Sequence, residues 1–199
     1  RLGWARESMN APELAAAAEA AGVAMITVHG RTRIDFYEGH ADWPAIAAVR
    51  AAVSVPLVAN GDLVSPEQIA AMLAQSGADA VMVGRGSQGR PWLPGLMAGA
   101  IGEDELAGLS LGDLAAEHYA AMLDHYGARV GVRHARKHLG WYLDRFIAAA
   151  GPVPEADRMA VMAGQDPQAV LSVLRRLFAE TRLLDVEPSL APSAMQEAA

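Results

Sequence analysis

The stretch VPLVANGDLVSPEQ, Val55 to Gln68, closes a short apolar run on Asn60, Gly61 and Asp62. Further on, ADAVMVGRGSQGRP closes a second apolar run on Gly84, Arg85 and Gly86. A glycine at such a point lets backbone approach a ligand closely, and a helix that follows offers N–H groups and a positive dipole end to an anion. The planar guanidinium of Arg85 suits phosphate oxygens. Taken singly, Asn60-Gly61-Asp62 is also an ordinary turn and Arg85 an ordinary surface cation. Two such ends in consecutive repeats point to one shared anion grip.

A third strand end precedes them. In TVHGRTR, His29 closes an apolar run and is followed by Gly30 and Arg31, so an imidazole and a cation emerge beside the same grip. An imidazole there can hydrogen-bond a cofactor ring or move a proton. Arg33 and His40 lie in the polar loop that follows.

The fourth feature is GVRHARKHLGWYLDRF. On a helix, Val132, Ala135, Leu139, Tyr142, Leu143 and Phe146 form an apolar stripe, while Arg129, Arg133 and Lys137 recur four apart and Arg136 joins them. Such a basic ridge binds phosphate backbones in a salt-dependent way, and is also compatible with a merely solvated face. His118, His125, His134 and His138 show no metal-ligand pattern, so no metal is expected.

These residues need elements to hold them. Asn10 as cap, Pro12 and Glu13 in the first turn and Gly22 as stop bound a first helix. VAMITVHG reads as a buried strand, DWPAIAAVRAAV as a helix capped by Asp42, Pro56 to Ala59 as a strand, and ADAVMVG as a third strand. Ser65 reads as the cap, with Pro66 at the first position, of a helix ending at Gly77. Near-continuous apolar strands alternating with helices about every 25 to 31 residues mean a parallel sheet covered by helices. A doubly wound sheet and a (β/α)8 barrel share that rhythm. Polar residues at the carboxyl ends of all three strands favour the barrel, of which this chain would supply the last half. Beyond Gly102 the pattern is helical, over Leu111 to Tyr126, Val130 to Ala149 and Asp166 to Leu184, with GPVP as a break between the last two. The expected organisation is an α/β carboxyl-terminal half of a TIM barrel over 1–101, an all-helical domain over 102–185, and a loose tail over 186–199.

Composition narrows the classes. A chain of 199 residues that is 52% hydrophobic can bury a sizeable core. No apolar run has a membrane helix's length and no signal pattern opens the chain, so a cytoplasmic location and no membrane partner are expected. Cysteine is absent, which removes disulfides and thiol chemistry from these residues. The net charge of −7 argues against nucleic acid, but Arg129, Arg133, Arg136, Lys137 and Arg145 against Asp144 give +4 locally. The chain starts with Arg rather than Met, and RLGW reads as a strand end with no earlier element to pair with, so a piece of a longer protein is expected.

Taken together, ITVHGRTR, the following DW, VPLVANGD, GADAVMVGRGSQGRPW and RKHLGWYL resemble the carboxyl-terminal portion of a bacterial tRNA-dihydrouridine synthase, nearest to the B-type branch. The resemblance reaches to about Leu184. It implies a flavin barrel followed by a helical domain that grips tRNA, with FMN reduced by NADPH and passing hydride to C6 of a uridine while an acid protonates C5. It further implies that Asn60, Gly61, Asp62, Gly84 and Arg85 hold the FMN phosphate and ribitol, that His29 contacts the flavin ring, and that Arg31 lies close to the flavin or the base. Arg133, Arg136 and Lys137 would face the tRNA, whose target base must leave its stack. In that family the acid is a cysteine in the first half of the barrel and a lysine lies two residues before the position of Arg1; neither is in this chain. No catalytic acid is therefore expected here, and these residues alone are expected to be inactive. The alternatives are another FMN- or phosphate-binding barrel acting on a small metabolite, and a non-catalytic RNA-binding fragment.

Overall fold

The computed structural model describes residues 1–187. The chain divides into two compact units, one of residues 1–87 with 92–97 and one of residues 88–91 with 98 onward. The first is α/β and the second helical.

In the α/β unit, strands β1 (Ile26–His29), β2 (Leu57–Asn60) and β3 (Ala80–Met82) form a parallel sheet in the order β1-β2-β3. Register pairs His29 with Asn60, and Asn60 with Met82, so the three carboxyl ends are level. Helices α1 (Ala11–Ala20), α2 (Trp43–Ala52) and α3 (Gln68–Ser76) supply the crossover layer, and α4 (Leu93–Met97) adds a short fourth. Val28, Leu57 and Ala59 point to that layer and pack with Ala15, Ile46, Val49 and Met72. This cluster is the core, and its apolar run explains the strands. The other sheet face carries Thr27, Val58, Ala80 and Met82; Met82 is 50% exposed. That face has no covering layer among the described residues.

Several local expectations change. Asp42 caps α2 by accepting from the Ala45 amide at 2.9 Å, as read. Asn10 precedes α1 without a side-chain cap. Ser65 does not cap α3: the helix starts at Gln68, whose Oε1 accepts from the amides of Val64 (2.9 Å) and Ser65 (3.2 Å). The opening RLGW forms no strand and runs beside a later segment: the Leu2 amide donates to the Arg31 carbonyl, and the amides of Arg33 and Ile34 donate to the carbonyls of Gly3 and Trp4.

The helical unit contains α5 (Glu103–Gly108), α6 (Leu111–Tyr126), α7 (Ala128–Ala150), α8 (Glu155–Ala163) and α9 (Pro167–Leu177). The α7 stripe is buried at Val132, Ala135, Leu139, Tyr142 and Leu143, while Phe146 meets Phe178 at 5.0 Å between ring centres. Helix α8 is an addition to the sequence reading, and α9 ends at Leu177, because Thr181 and Leu183 turn back to hydrogen-bond Leu111 and Leu109. Of the tail expected from Val186 onward, Val186 is buried and Glu187 pairs with buried Arg90, its Oε1 accepting from Nε at 2.9 Å. Residues 188–199 lie outside the described residues. Among the described residues no helix is long and apolar enough to cross a membrane.

Candidate active site at the strand ends

Parallel strands present their carboxyl ends together, so whatever follows His29, Asn60 and Met82 is assembled on one rim. Asp62 stands at its centre. Its carboxylate takes Nη1 and Nη2 of Arg31 at 2.7 and 2.6 Å, the Ala41 amide at 2.7 Å and Nη2 of Arg85 at 3.3 Å. Two guanidinium groups from neighbouring repeats thus meet on one carboxylate. Burial would raise the Asp62 pKa; the hydrogen bonds from Arg31 and Ala41 and the charges of Arg31 and Arg85 outweigh it and hold the group below the usual carboxylate range.

The two arginines differ in what remains free. Arg31 is 2% exposed, and beyond Asp62 it donates Nε to the Glu38 carbonyl and Nη2 to the Gly39 carbonyl, so it pins the loop after β1. The Arg85 side chain is 51% exposed and lies 4.5 Å above the Tyr37 ring. Its other donors remain available for an anion.

His29 sits 3.4 Å from Arg31, Nε2 to Nη1. A guanidinium only donates, so Nε2 accepts and the ring proton lies on Nδ1. Burial, then the positive charges of Arg1 and Arg31, keep the imidazole below its ordinary pKa and neutral at pH 7. Gly61, at φ 121°, lies against this ring: a Cβ there would come within 2.8 Å of His29 Cδ2 and 2.7 Å of Ala41 Cβ. Gly84 is different, with open space where its Cβ would be. Asn60 spans two strands, donating Nδ2 to the Met82 carbonyl at 2.8 Å. At the start of α3 the Gln68 and Ile69 amides are already spent on the carbonyls of Ser65 and Pro66, and Gln68 Oε1 takes the Val64 and Ser65 amides, which leaves Arg85 as the main candidate donor to an anion.

Tyr37 and Trp43 are missing from the sequence reading of the site. Tyr37 backs Arg85, and Trp43 donates Nε1 to the Gly61 carbonyl at 2.8 Å, fixing the turn. The signal for Trp43 is its place directly after the cap of α2; for Tyr37 there is none beyond its loop.

In the helical unit, Arg133 and Lys137 are exposed on α7, and Lys137 Nζ lies 4.9 Å over the Trp141 ring. Arg136 is half-buried, reaching the Ala163 carbonyl at 3.5 Å, with its Nε unpaired among the described residues. Arg145 turns away from that ridge to the Gln88 carbonyl at 3.5 Å. Among the described residues no group of three or more His, Cys, Asp or Glu could hold a metal ion.

A parallel α/β sheet with a cationic, glycine-containing rim at its strand ends is the architecture of many phosphate- and nucleotide-dependent enzymes. Residues 1–177 match the dihydrouridine synthase family, and the chain belongs to that family. A probable tRNA-dihydrouridine synthase of Rhizobium leguminosarum bv. phaseoli is 52% identical over 174 residues, covering 87% of this chain and 53% of the relative. One from Rhodobacter capsulatus is also 52% identical, over 184 residues, 90% of this chain and 55% of its own. The tRNA-dihydrouridine synthase B of Xanthomonas axonopodis pv. citri is 40% identical over 198 residues, 98% of this chain and 58% of its own. The chain spans about half the length of the curated relatives it matches.

Proposed function

We propose that this chain is the cofactor-phosphate and RNA-gripping part of an FMN-dependent enzyme that reduces a uridine of tRNA to 5,6-dihydrouridine with NADPH, acting in the cytoplasm. The observation that carries the reading is the meeting of Arg31 and Arg85 on Asp62, level with His29, in a chain of the dihydrouridine synthase family. Its sheet is the last part of a parallel barrel, and further strands cover the face of Thr27, Val58, Ala80 and Met82. The helical part over residues 102–185 is the tRNA-binding domain.

The rim fits a phosphorylated flavin: Arg85, half exposed, keeps free donors on a cationic strand-end surface, and the bare backbone of Gly61 packs directly against the His29 ring. Asn60, Gly61, Asp62, Gly84 and Arg85 would hold the phosphate and ribitol, and His29 would meet the ring. When bound, FMN supplies the hydride for C6. Arg31, buried and saturated, orients Asp62 and the loop carrying Tyr37, so its part is positioning. Asp62 in turn aims Arg85. The neutral His29 offers a ring proton on Nδ1 without adding charge beside a flavin. The proton for C5 would come from the cysteine that the family resemblance implies, which lies outside these residues. Arg133, Arg136 and Lys137 face the tRNA backbone, and residues 1–199 alone are inactive.

The test is a strain lacking the gene. Its tRNA should have lost dihydrouridine at one position, and the full-length protein, yellow when purified, should restore it with NADPH. Unchanged dihydrouridine in the deletion strain would reject the reading.

A further inference from the structure

The opening segment and the loop after β1 together expose a cluster of large apolar side chains. Trp4 is 67% exposed and Phe36 55%, and Ile34 beside them is 51% exposed. Between the two rings lies the Arg33 guanidinium, 4.5 Å from the Phe36 ring centre and 5.9 Å from that of Trp4. Among the described residues that guanidinium has no hydrogen bond and no carboxylate partner; nearby Asp35 is taken by the Thr32 amide at 2.8 Å and by Arg6 at 3.8 Å. Phe36 adopts φ 48°, a backbone conformation uncommon for a bulky side chain, which turns its ring outward next to Arg33.

The cluster adjoins the site. Phe36 is followed by Tyr37, whose ring carries Arg85, and Arg85 reaches Asp62. Resting on the RNA reading above, we propose that Trp4, Arg33 and Phe36 form a stacking platform for an unpaired nucleobase of the RNA substrate, next to the mouth through which the target uridine reaches the rim. Flat rings laminated with an unpaired guanidinium are complementary to a π-face with a phosphate attached. A flipped base also deprives its neighbour of a stacking partner, and a platform at the mouth replaces that partner. Added protein strands are the poorer occupant, because burying Arg33 unpaired would be costly.

The experiment uses the full-length protein and measures tRNA affinity and bound flavin for Trp4→Ala and Phe36→Ala. Each should weaken tRNA binding roughly tenfold or more, with flavin content and melting temperature unchanged, and Trp4→Phe should recover most of the loss. Affinity within twofold of the unaltered protein for both alanine variants overturns the platform while leaving the enzymatic reading standing. No tRNA binding by the unaltered protein overturns both. Should an alanine variant lose flavin or melt early, oxidation of Trp4 in the unaltered protein decides: protection by tRNA supports the platform, and equal oxidation with and without tRNA overturns it.

Discussion

Asp62 receives both terminal nitrogens of Arg31, at 2.7 and 2.6 Å, across the gap between the loops that follow β1 and β2. Because Arg31 is 2% exposed and Asp62 only partly so, this pair is a structural clasp with a functional edge, its Oδ1 also meeting Arg85. Asp62→Ala leaves a buried guanidinium without its counter-charge, and breaking such a pair costs roughly 3–5 kcal/mol. Urea unfolding of the full-length protein should show that loss, and Arg31→Lys, which cannot donate as a fork, should show a substantial part of it.

The same carboxylate imposes a pH dependence. Its pKa is lowered on folding, so the stability it contributes is complete above about pH 4, the unfolded value, and drains away as pH falls through the lower folded value. Melting temperature against pH should therefore drop more steeply below pH 4 in the unaltered protein than in Asp62→Asn, which has no such proton to bind.

Two glycines of the rim should behave differently. Gly61→Ala meets His29 and Ala41 and a positive φ, and should cost about 1–3 kcal/mol. Gly84→Ala meets nothing within 4 Å and should leave stability unchanged. Loss of flavin from a stable Gly84→Ala protein would then report direct contact between that backbone and the cofactor.

Much of this was legible in the sequence. Apolar runs such as Leu57–Asn60 give strands because both faces are meant for burial, and Asp42 caps because its carboxylate needs only the local amide of Ala45. Helix α8 was hidden because Val161 is its single buried residue, leaving no apolar period to read. Ser65 does not cap because the helix starts at Gln68, three residues on, with no side-chain cap, and the Gln68 side chain folds back onto the Val64 and Ser65 amides instead. Residue types placed His29, Arg31, Asp62 and Arg85 on one rim; they could not foretell that Arg31 would spend its donors on Asp62, Glu38 and Gly39 while Arg85 kept its own.

On α7, Arg133 and Lys137 are exposed and unencumbered by carboxylates among the described residues. Arg133→Glu with Lys137→Glu should abolish tRNA binding at 150 mM salt and flatten its salt dependence. NADPH oxidation by the flavin should persist. A small-metabolite enzyme would show no such change in turnover of its substrate.

The central claim, that the rim grips a phosphorylated flavin through Arg85, is tested most directly by titrating apo full-length protein with FMN and with riboflavin. Arg85→Ala should weaken FMN by about 1.5–3 kcal/mol, the worth of a charge-assisted hydrogen bond, and leave riboflavin affinity as it was. Equal affinities for FMN before and after the substitution, or an equal loss for both ligands, would contradict it.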